Sequence, residues 1–490
     1  MKKLINSLLC SCLLVVMAGC SDFLETEYYG GIDVDTGLDK VANISTATVG
    51  IYNRLFNRYF SGNYATSIGD IPTDITYWNT QTGHWDGIYQ YSVRPTDTYL
   101  GYIWNYGYKV IDNSTRVINA GLKLYAEATD AEKEELDLDI AQAYALRAYA
   151  DLILVNVFCH QAKVNGKDFT SQPGIVVLDK ETVVPFTQVS RSTIAQTYSQ
   201  IFSDLSNAES HFKAAGGDTG DPFFIGLAAV KGIEARAHLY LEEWAAAKTA
   251  AQAALTAAGN PALAYTEAAY KALYAGGSSN TESFFMLDIN TNQNWSANSC
   301  GTLWSTYNFS PSPKLLAMYA DTDIRTSIFT WASTSSDIVP IFGAGKFNHA
   351  SGNSAVGTNY LVNAPEMYLI IAEASAKSNQ ITDAQNALLT VAKRNTAITS
   401  VADLPSSAAD ILAFIKDERA RELFQEGLRL WDLRRWGDPV GVNAYDAPNV
   451  KFQYNNYDIS NLVYPIPDAE INANFGVTQN EGWANTMPKK

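Results

Sequence analysis

Seven stretches of this 490-residue chain place apolar side chains at the three- and four-residue spacing of a buried helix face. They are residues 99–124, 136–158, 192–212, 225–241, 244–258, 365–377 and 383–394. In the first, Trp104, Tyr108, Ile111 and Ile118 share one face; in the second, Ala, Leu and Tyr recur around Arg147. Ser190 and Ser192 are candidate caps for the third, and Pro365 suits a first helical turn, where its missing N–H costs nothing. The fold class expected is mainly α.

Two of these segments follow their neighbours across a short turn. Glu234-Ala-Arg-Ala-His-Leu-Tyr precedes Trp244-Ala-Ala-Ala, and Ile371-Ala-Glu-Ala-Ser-Ala precedes Ala384 and Ala387. Small residues at such positions let paired helices cross closely, so the hairpins resemble tetratricopeptide packing, in which each pair stacks on the next. Unrelated alanine-rich helices are the alternative. The regular period of about 34 residues is missing, so insertions must interrupt the stack. Residues 61–95 and 276–356 fit that role: they are rich in Asn, Thr, Ser, Gly and Trp, and they lack helical periodicity. Loops this long are usually functional or disordered, and their Trp and Tyr argue against disorder. The organisation expected is a helical scaffold over about 38–60, 97–260 and 362–437 with an irregular loop-rich lobe inserted at about 61–95 and 276–356.

Composition narrows the function. Apolar residues make up 47% and charged residues 18%, which supports a large core and excludes global disorder. The formal charge of −16 argues against nucleic acid, whose phosphates need a basic face. At the N-terminus, Lys2 and Lys3 precede an apolar run to Met17 and then Ala18-Gly19-Cys20. This reads as a secretory signal over 1–19, too short to span a bilayer. Cysteine directly after Ala-Gly resembles a bacterial lipobox, making Cys20 the expected lipidated N-terminus; the alternative is an ordinary cleaved signal. A diacylated Cys20 would then be the only membrane attachment. Only Cys159 and Cys300 remain in the body, so one disulfide is possible but a framework is not.

Catalytic and metal signatures are poor. The five histidines form no HExxH or similar ligand spacing, and there is no Walker A and no GxSxG elbow. Asp33, Asp35 and Asp39 resemble a calcium loop only loosely. Asp70 with Asp74, or Asp321 with Asp323, are the nameable glycosidase pairs, yet such proximity arises by chance among 51 acids. No enzyme, metal site or cofactor is expected.

Residues 415–439 are more specific. Ala420, Leu423, Phe424, Gly427, Leu428 and Trp431 form an apolar stripe, while Glu418, Glu422 and Glu426 sit four apart and would repel one another unaided. Arg419, Arg421, Arg429, Arg434 and Arg435 must compensate through fork-type pairs to carboxylates. This reads as a structural clasp, with an anion site as the alternative.

The pattern Glu418-Arg419, Glu422-Leu423, Glu426-Gly427, Arg429, Asp432-Leu433 and Arg435-Trp436-Gly437 resembles the signature of the SusD/RagB family of Bacteroidetes outer-membrane lipoproteins. Weaker family-like blocks occur in the expected order. They include Val49-Gly-Ile-Tyr-Asn53, Ala145-Leu-Arg-Ala-Tyr149, Ala235-Arg-Ala237 and Tyr464-Pro-Ile-Pro467. The resemblance covers nearly the whole mature chain, 20–490, as a single domain.

It implies a non-catalytic cell-surface protein that binds oligo- or polysaccharide and delivers it to a SusC-like TonB-dependent transporter of the outer membrane. A surface lipoprotein scaffold binding peptide or protein through its helical repeats is the alternative. Sugars offer flat C–H faces ringed by hydroxyls, so a binder needs aromatic platforms beside hydrogen-bonding groups. The first insertion supplies Tyr77, Trp78, Asn79 and Trp85 as candidate glycan-binding residues; the second supplies Trp295, Trp304 and Tyr307, with Trp331 further on. Covering half of one Trp, about 100 Å², contributes roughly 2–3 kcal/mol at ~25 cal/mol per Å². For any one ring, the alternative is packing of its loop onto the body.

Overall fold

The computed structural model describes residues 37–78, 82–180, 187–307, 309–332, 341–347, 352–442 and 454–487. The leader, Cys20 and Asn79 lie outside the described residues. The scaffold is built of α1 (Val41–Phe56), α2 (Thr98–Tyr125), α3 (Asp130–Phe158), α4 (Ile194–Ala214), α5 (Leu227–Tyr240), α6 (Trp244–Ala257), α7 (Ala364–Lys377), α8 (Ile381–Ala392), α9 (Ala408–Glu422) and α10 (Arg429–Trp436). Four short strands matter for the site: β1 (Thr76–Trp78), β2 (Ser283–Leu287), β3 (Phe309–Pro311) and β4 (Asn359–Asn363).

Caps, rather than apolar spacing, decide where α3 and α4 start. The α3 helix begins at Asp130, ahead of residue 136, because Thr129 and Glu132 form a reciprocal capping box. The turn it nucleates is largely exposed and therefore carries no apolar signal. Likewise α4 is capped by Thr193 with Gln196, not by Ser190 or Ser192. From Leu136 onward α3 is buried on nearly every side, between α2 and α4. Arg147 ties the three together: it grips both Asp204 oxygens at 2.7 Å and donates to Thr115 at 3.0 Å.

The α5–α6 and α7–α8 hairpins turn alike, each through a left-handed residue, Glu242 (φ 55°) and Asn379 (φ 56°). Helix α6 packs on α7, so the two pairs stack as repeats. Arg236 of α5 holds Glu366 of α7 by two bonds of 2.8 and 2.6 Å. Everything from 258 to 363 is inserted between these pairs. Antiparallel β2 and β4, both fully buried, close the insertion by pairing Ser283 with Asn363 and Leu287 with Asn359.

A second antiparallel pair, Thr76 with Pro311 and Trp78 with Phe309, binds the two loop-rich segments together. The first segment is not a free lobe. Every residue from 61 to 78 is buried, with Ile68, Ile71 and Ile75 inside the main core. Gly69 fixes it to the C-terminal region: a side chain there would lie 1.8 Å from the Gly427 carbonyl oxygen.

The stripe at 420–431 is interrupted there. Helix α9 ends at Glu422, and the chain passes through left-handed Gln425 (φ 70°) and Gly427 (φ 75°) before α10. Around this break the clasp closes as a buried network. Arg325 bonds Asp323, Glu418 (2.8 Å) and Glu422 (3.1 Å); Arg394 joins Glu422 to Glu282; Arg419 and Arg435 share Asp432. Arg434 instead donates to three carbonyls, those of Asn156, Cys159 and Leu462. These arginines are consumed by the fold, which disposes of the anion-site alternative. Cys159 and Cys300 are both free and buried.

Candidate functional site

Four of the aromatic candidates are core, and their platform role is corrected accordingly. Tyr77, Trp78, Trp85 and Trp304 are all buried. Trp78 stacks on Phe309 (5.9 Å between centroids, 12°), and Trp304 packs edge-on against Phe424 at 5.1 Å. The reason is physical: loop segments without long helices need large rings to build an interior, and a ring covered on both faces has none left for a sugar.

Trp295, Tyr307 and Trp331 keep surface. Trp331 is 39% exposed and leans on Phe342. Tyr307 stacks on His84 at 3.8 Å, and burial pushes the His84 imidazole pKa down.

Trp295 lies in a built groove. Its indole N–H donates to the Phe56 carbonyl at 3.1 Å, and its ring sits 5.4 Å from that of Phe56. Its own backbone N–H donates to Ser299 Oγ at 3.1 Å, and left-handed Ser296 (φ 48°) fixes the following turn. The preceding turn is folded by its amides: Asn290 Oδ1 accepts from the N–H groups of Asn292 and Gln293, and Asn290 Nδ2 donates to Asp288 at 2.8 Å. Trp295, Phe56, Asp288, Asn290, Asn292 and Gln293, together with Val49 and Tyr52 of α1, line a groove of about 440 Å³. Val49 is 58% exposed there. The groove thus presents apolar ring and methyl surface beside amides and a carboxylate, on a turn whose backbone is already ordered.

Across the turn that follows α1 stands a second aromatic surface. Tyr59 and Tyr102 stack in parallel at 3.8 Å and 11°, with Tyr106 5.1 Å from Tyr59. Tyr64 and Tyr99 continue the series inward to Trp85, which stacks on Tyr99 at 4.2 Å. Trp85 is left-handed (φ 61°), and its N–H donates to the Tyr99 hydroxyl at 3.1 Å. A bulky residue in that conformation is strained and is held there by its surroundings. Arg58 donates to the Tyr59 hydroxyl at 2.7 Å, which lowers the pKa of that phenol, while the hydrogen bond to Tyr59 raises that of Tyr102. This ladder went unread in the sequence, although Tyr99, Tyr102 and Tyr106 recur at helical spacing on a face of α2 separate from Trp104 and Ile111.

Of the carboxylates considered for hydrolysis, Asp70, Asp74 and Asp323 are held by the fold, while Asp321 is exposed. Buried Asp70 accepts the N–H groups of Gly427 and Arg429, and Asp74 takes the Arg429 fork at 2.9 Å twice. Asp323 is gripped by Arg325. Among the described residues no helix is long and apolar enough to cross a membrane.

Two family models match separate stretches of the chain: the SusD family over residues 345–483, and "starch-binding associating with outer membrane" over residues 22–214. Solved structures agree on the fold. A SusD superfamily protein from Bacteroides thetaiotaomicron is 22% identical with a TM-score of 0.79, over 90% of this chain and 99% of its own. A SusD superfamily protein from Bacteroides vulgatus is 21% identical with a TM-score of 0.78, over 92% and 100%. A SusD-like carbohydrate binding protein from Bacteroides vulgatus is 22% identical with a TM-score of 0.73, over 92% and 98%. No curated protein matches the sequence. The two stretches matched, the arginine clasp inside the C-terminal one of them, and the repeat-and-insertion architecture agree: residues 22–214 and 345–483 match SusD-type family models, and the fold of the chain is that of SusD superfamily proteins.

Proposed function

We propose that this protein is a non-catalytic glycan binder of the cell surface, exported by a signal over 1–19 and held on the outer membrane by lipid on Cys20. It would pass oligosaccharide to a SusC-like TonB-dependent transporter. The observation that carries the reading is the Trp295 groove, where an indole with its N–H already satisfied lies beside amides and Asp288. An indole face covers sugar C–H groups, and the amides and carboxylate answer the hydroxyls. The carbohydrate-binding relative of the same fold supports the ligand class. The engagement of Asp70, Asp74 and Asp323 in the fold supports a role without hydrolysis.

With such a shallow site and the costs of association, affinities of roughly micromolar to millimolar are expected. Affinity electrophoresis of the mature chain across neutral polysaccharides tests this. The expected result is retardation by at least one polymer, lost in Trp295→Ala with a melting temperature lowered far less than in Trp304→Ala, without release of reducing sugar. Retardation that survives Trp295→Ala removes the groove from the reading, and release of reducing sugar overturns the non-catalytic part. Cys20→Ala should release the protein from the outer-membrane fraction, and unchanged fractionation refutes the anchor. Failure of the tagged chain to co-purify with a large outer-membrane barrel in mild detergent counts against the transporter.

A further inference from the structure

The tyrosine ladder carries two cations that have no carboxylate partner among the described residues. The Arg58 guanidinium lies 4.7 Å from the Tyr59 ring centroid, and the Lys109 ammonium lies 4.2 Å from that of Tyr106. Among the described residues neither forms an ion pair with a carboxylate. Asp112, one turn beyond Lys109 on α2, is already held by Arg116 through two bonds of 2.9 and 3.2 Å. In a chain of formal charge −16, two unpaired cations on one aromatic surface are a local reversal of sign. The buried arginines of the clasp show the opposite habit, each being spent on a carboxylate or on backbone carbonyls.

We infer that the Tyr59–Tyr102–Tyr106 ladder, with Arg58 and Lys109, is a second binding site, for a glycan bearing anionic groups. The inference rests on the glycan-binding reading but on none of the residues of the Trp295 groove. Tyr59 is covered by Tyr102 on one face and by Arg58 on the other, so the partly exposed Tyr102 and Tyr106 offer the ring surface for sugar C–H groups, and the hydroxyls donate or accept, which suits a polyhydroxylated ligand. The Arg58 fork matches a planar carboxylate or a sulfate ester, and Lys109 adds a second point charge. Arg58 is oriented before any ligand arrives, because its Nη2 is tied to the Tyr59 hydroxyl while other N–H groups of the fork remain. At ordinary ionic strength the screening length is about 8 Å, so distant acids of the surface do little to repel an anion here. Carboxylate and sulfate share this chemistry, and the polymer that binds tells them apart.

The test is affinity electrophoresis of the full mature chain in about 0.15 M salt against polygalacturonate, dextran sulfate and neutral dextran, with anionic phospholipid vesicles as a fourth arm. Retardation by polygalacturonate assigns a uronate, and retardation by dextran sulfate a sulfate ester; either should weaken as salt rises. The double variant Arg58→Gln, Lys109→Gln should lose about tenfold in affinity for that polymer, the scale of a lost charged hydrogen bond. Tyr102→Ala should weaken the same binding, and the melting temperature of the double variant should stay at the wild-type value. Trp295→Ala should leave acidic-polymer binding intact, so a failed groove and a failed ladder give different results. No retardation by either acidic polymer, unchanged affinity in the double variant, or binding confined to the vesicles overturns the proposal.

Discussion

Arg435 meets Glu373 with two parallel bonds, Nη1 to Oε1 at 2.6 Å and Nη2 to Oε2 at 2.7 Å, and the Trp436 indole adds a third at 2.9 Å. Both side chains are about 1% exposed, so the pair fastens α10 to α7 where water cannot compete. Glu373→Gln keeps the volume but removes the charge and half of the fork. Breaking one side of a buried pair costs about 3–5 kcal/mol, which denaturant unfolding of the variant should show.

The clasp also sets the response to acid. Burial raises the pKa values of Glu373, Glu418 and Asp74, yet Arg435, Arg325 and Arg429 respectively overcome it and hold all three at about 2. Unfolded, such carboxyls titrate near 4. Their contribution is therefore complete above about pH 4.5 and is lost as pH falls towards 2. Asp70 behaves with opposite sign: burial raises it to about 7, against the backbone N–H groups of Gly427 and Arg429. Its share of stability is present below about pH 4 and fades as pH rises through 7. Melting temperature followed from pH 2 to 9 should fall steeply on the acid side and gently across neutrality. Asp70→Asn should flatten the neutral limb and leave the acid limb in place.

Trp304→Ala and Trp295→Ala should separate core from platform. Trp304 is 2% exposed among Phe309 and Phe424, so its loss should cost about 3–5 kcal/mol, seen as a lower denaturation midpoint. Trp295, partly open on its groove, should cost well under that while removing glycan retardation.

Gly427→Ala should be far worse than an ordinary glycine substitution. The residue is left-handed, a penalty of about 1–2 kcal/mol for any L side chain, and its new methyl would stand 2.2 Å from the Thr66 carbonyl oxygen. Backbone would have to move on both sides, so a large drop in melting temperature, or no soluble protein, is expected. An exposed counterpart with the same sign of φ, Gly216→Ala, has open space around it and should show only the conformational cost.

Thiol chemistry gives a simple check on the interior. Burial raises the pKa of Cys159 to about 11 and of Cys300 to about 12, so neither is a ready nucleophile. A thiol reagent should find both unreactive in the native mature chain and titrate both at once in denaturant.

Much of the scaffold was legible because helices advertise one face at a time. Residues 99–124, 225–241 and 365–377 each fall within a few residues of the observed α2, α5 and α7. The clasp could be inferred from Glu418, Glu422 and Glu426, whose spacing demands positive partners. Its outside members could not, since Asp74, Asp323 and Glu373 lie far away in sequence and arrive only with the fold. The loop tryptophans misled for a related reason. Whether a ring on a short strand faces water depends on what pairs with that strand, and for Trp78 it is Phe309, more than 200 residues away. The tyrosine ladder was hidden by the stronger Trp104 face of the same helix.

The β2–β4 ladder has one further consequence. It brings the two mouths of a long insertion together before the chain re-enters the helix stack, so whatever lies between is tethered at a fixed doorway. Closing a longer or shorter loop across such a doorway changes the free energy slowly, by about 0.6 kcal/mol per doubling of length. The open turn at 291–297, Trp295 among its residues, can therefore lengthen, shorten or exchange sequence at little thermodynamic penalty to the stacked hairpins, while Trp304, Phe309 and Arg325 of the same insertion stay fixed in the interior. Descendants of one architecture could in this way diverge in what they recognise while inheriting the same frame.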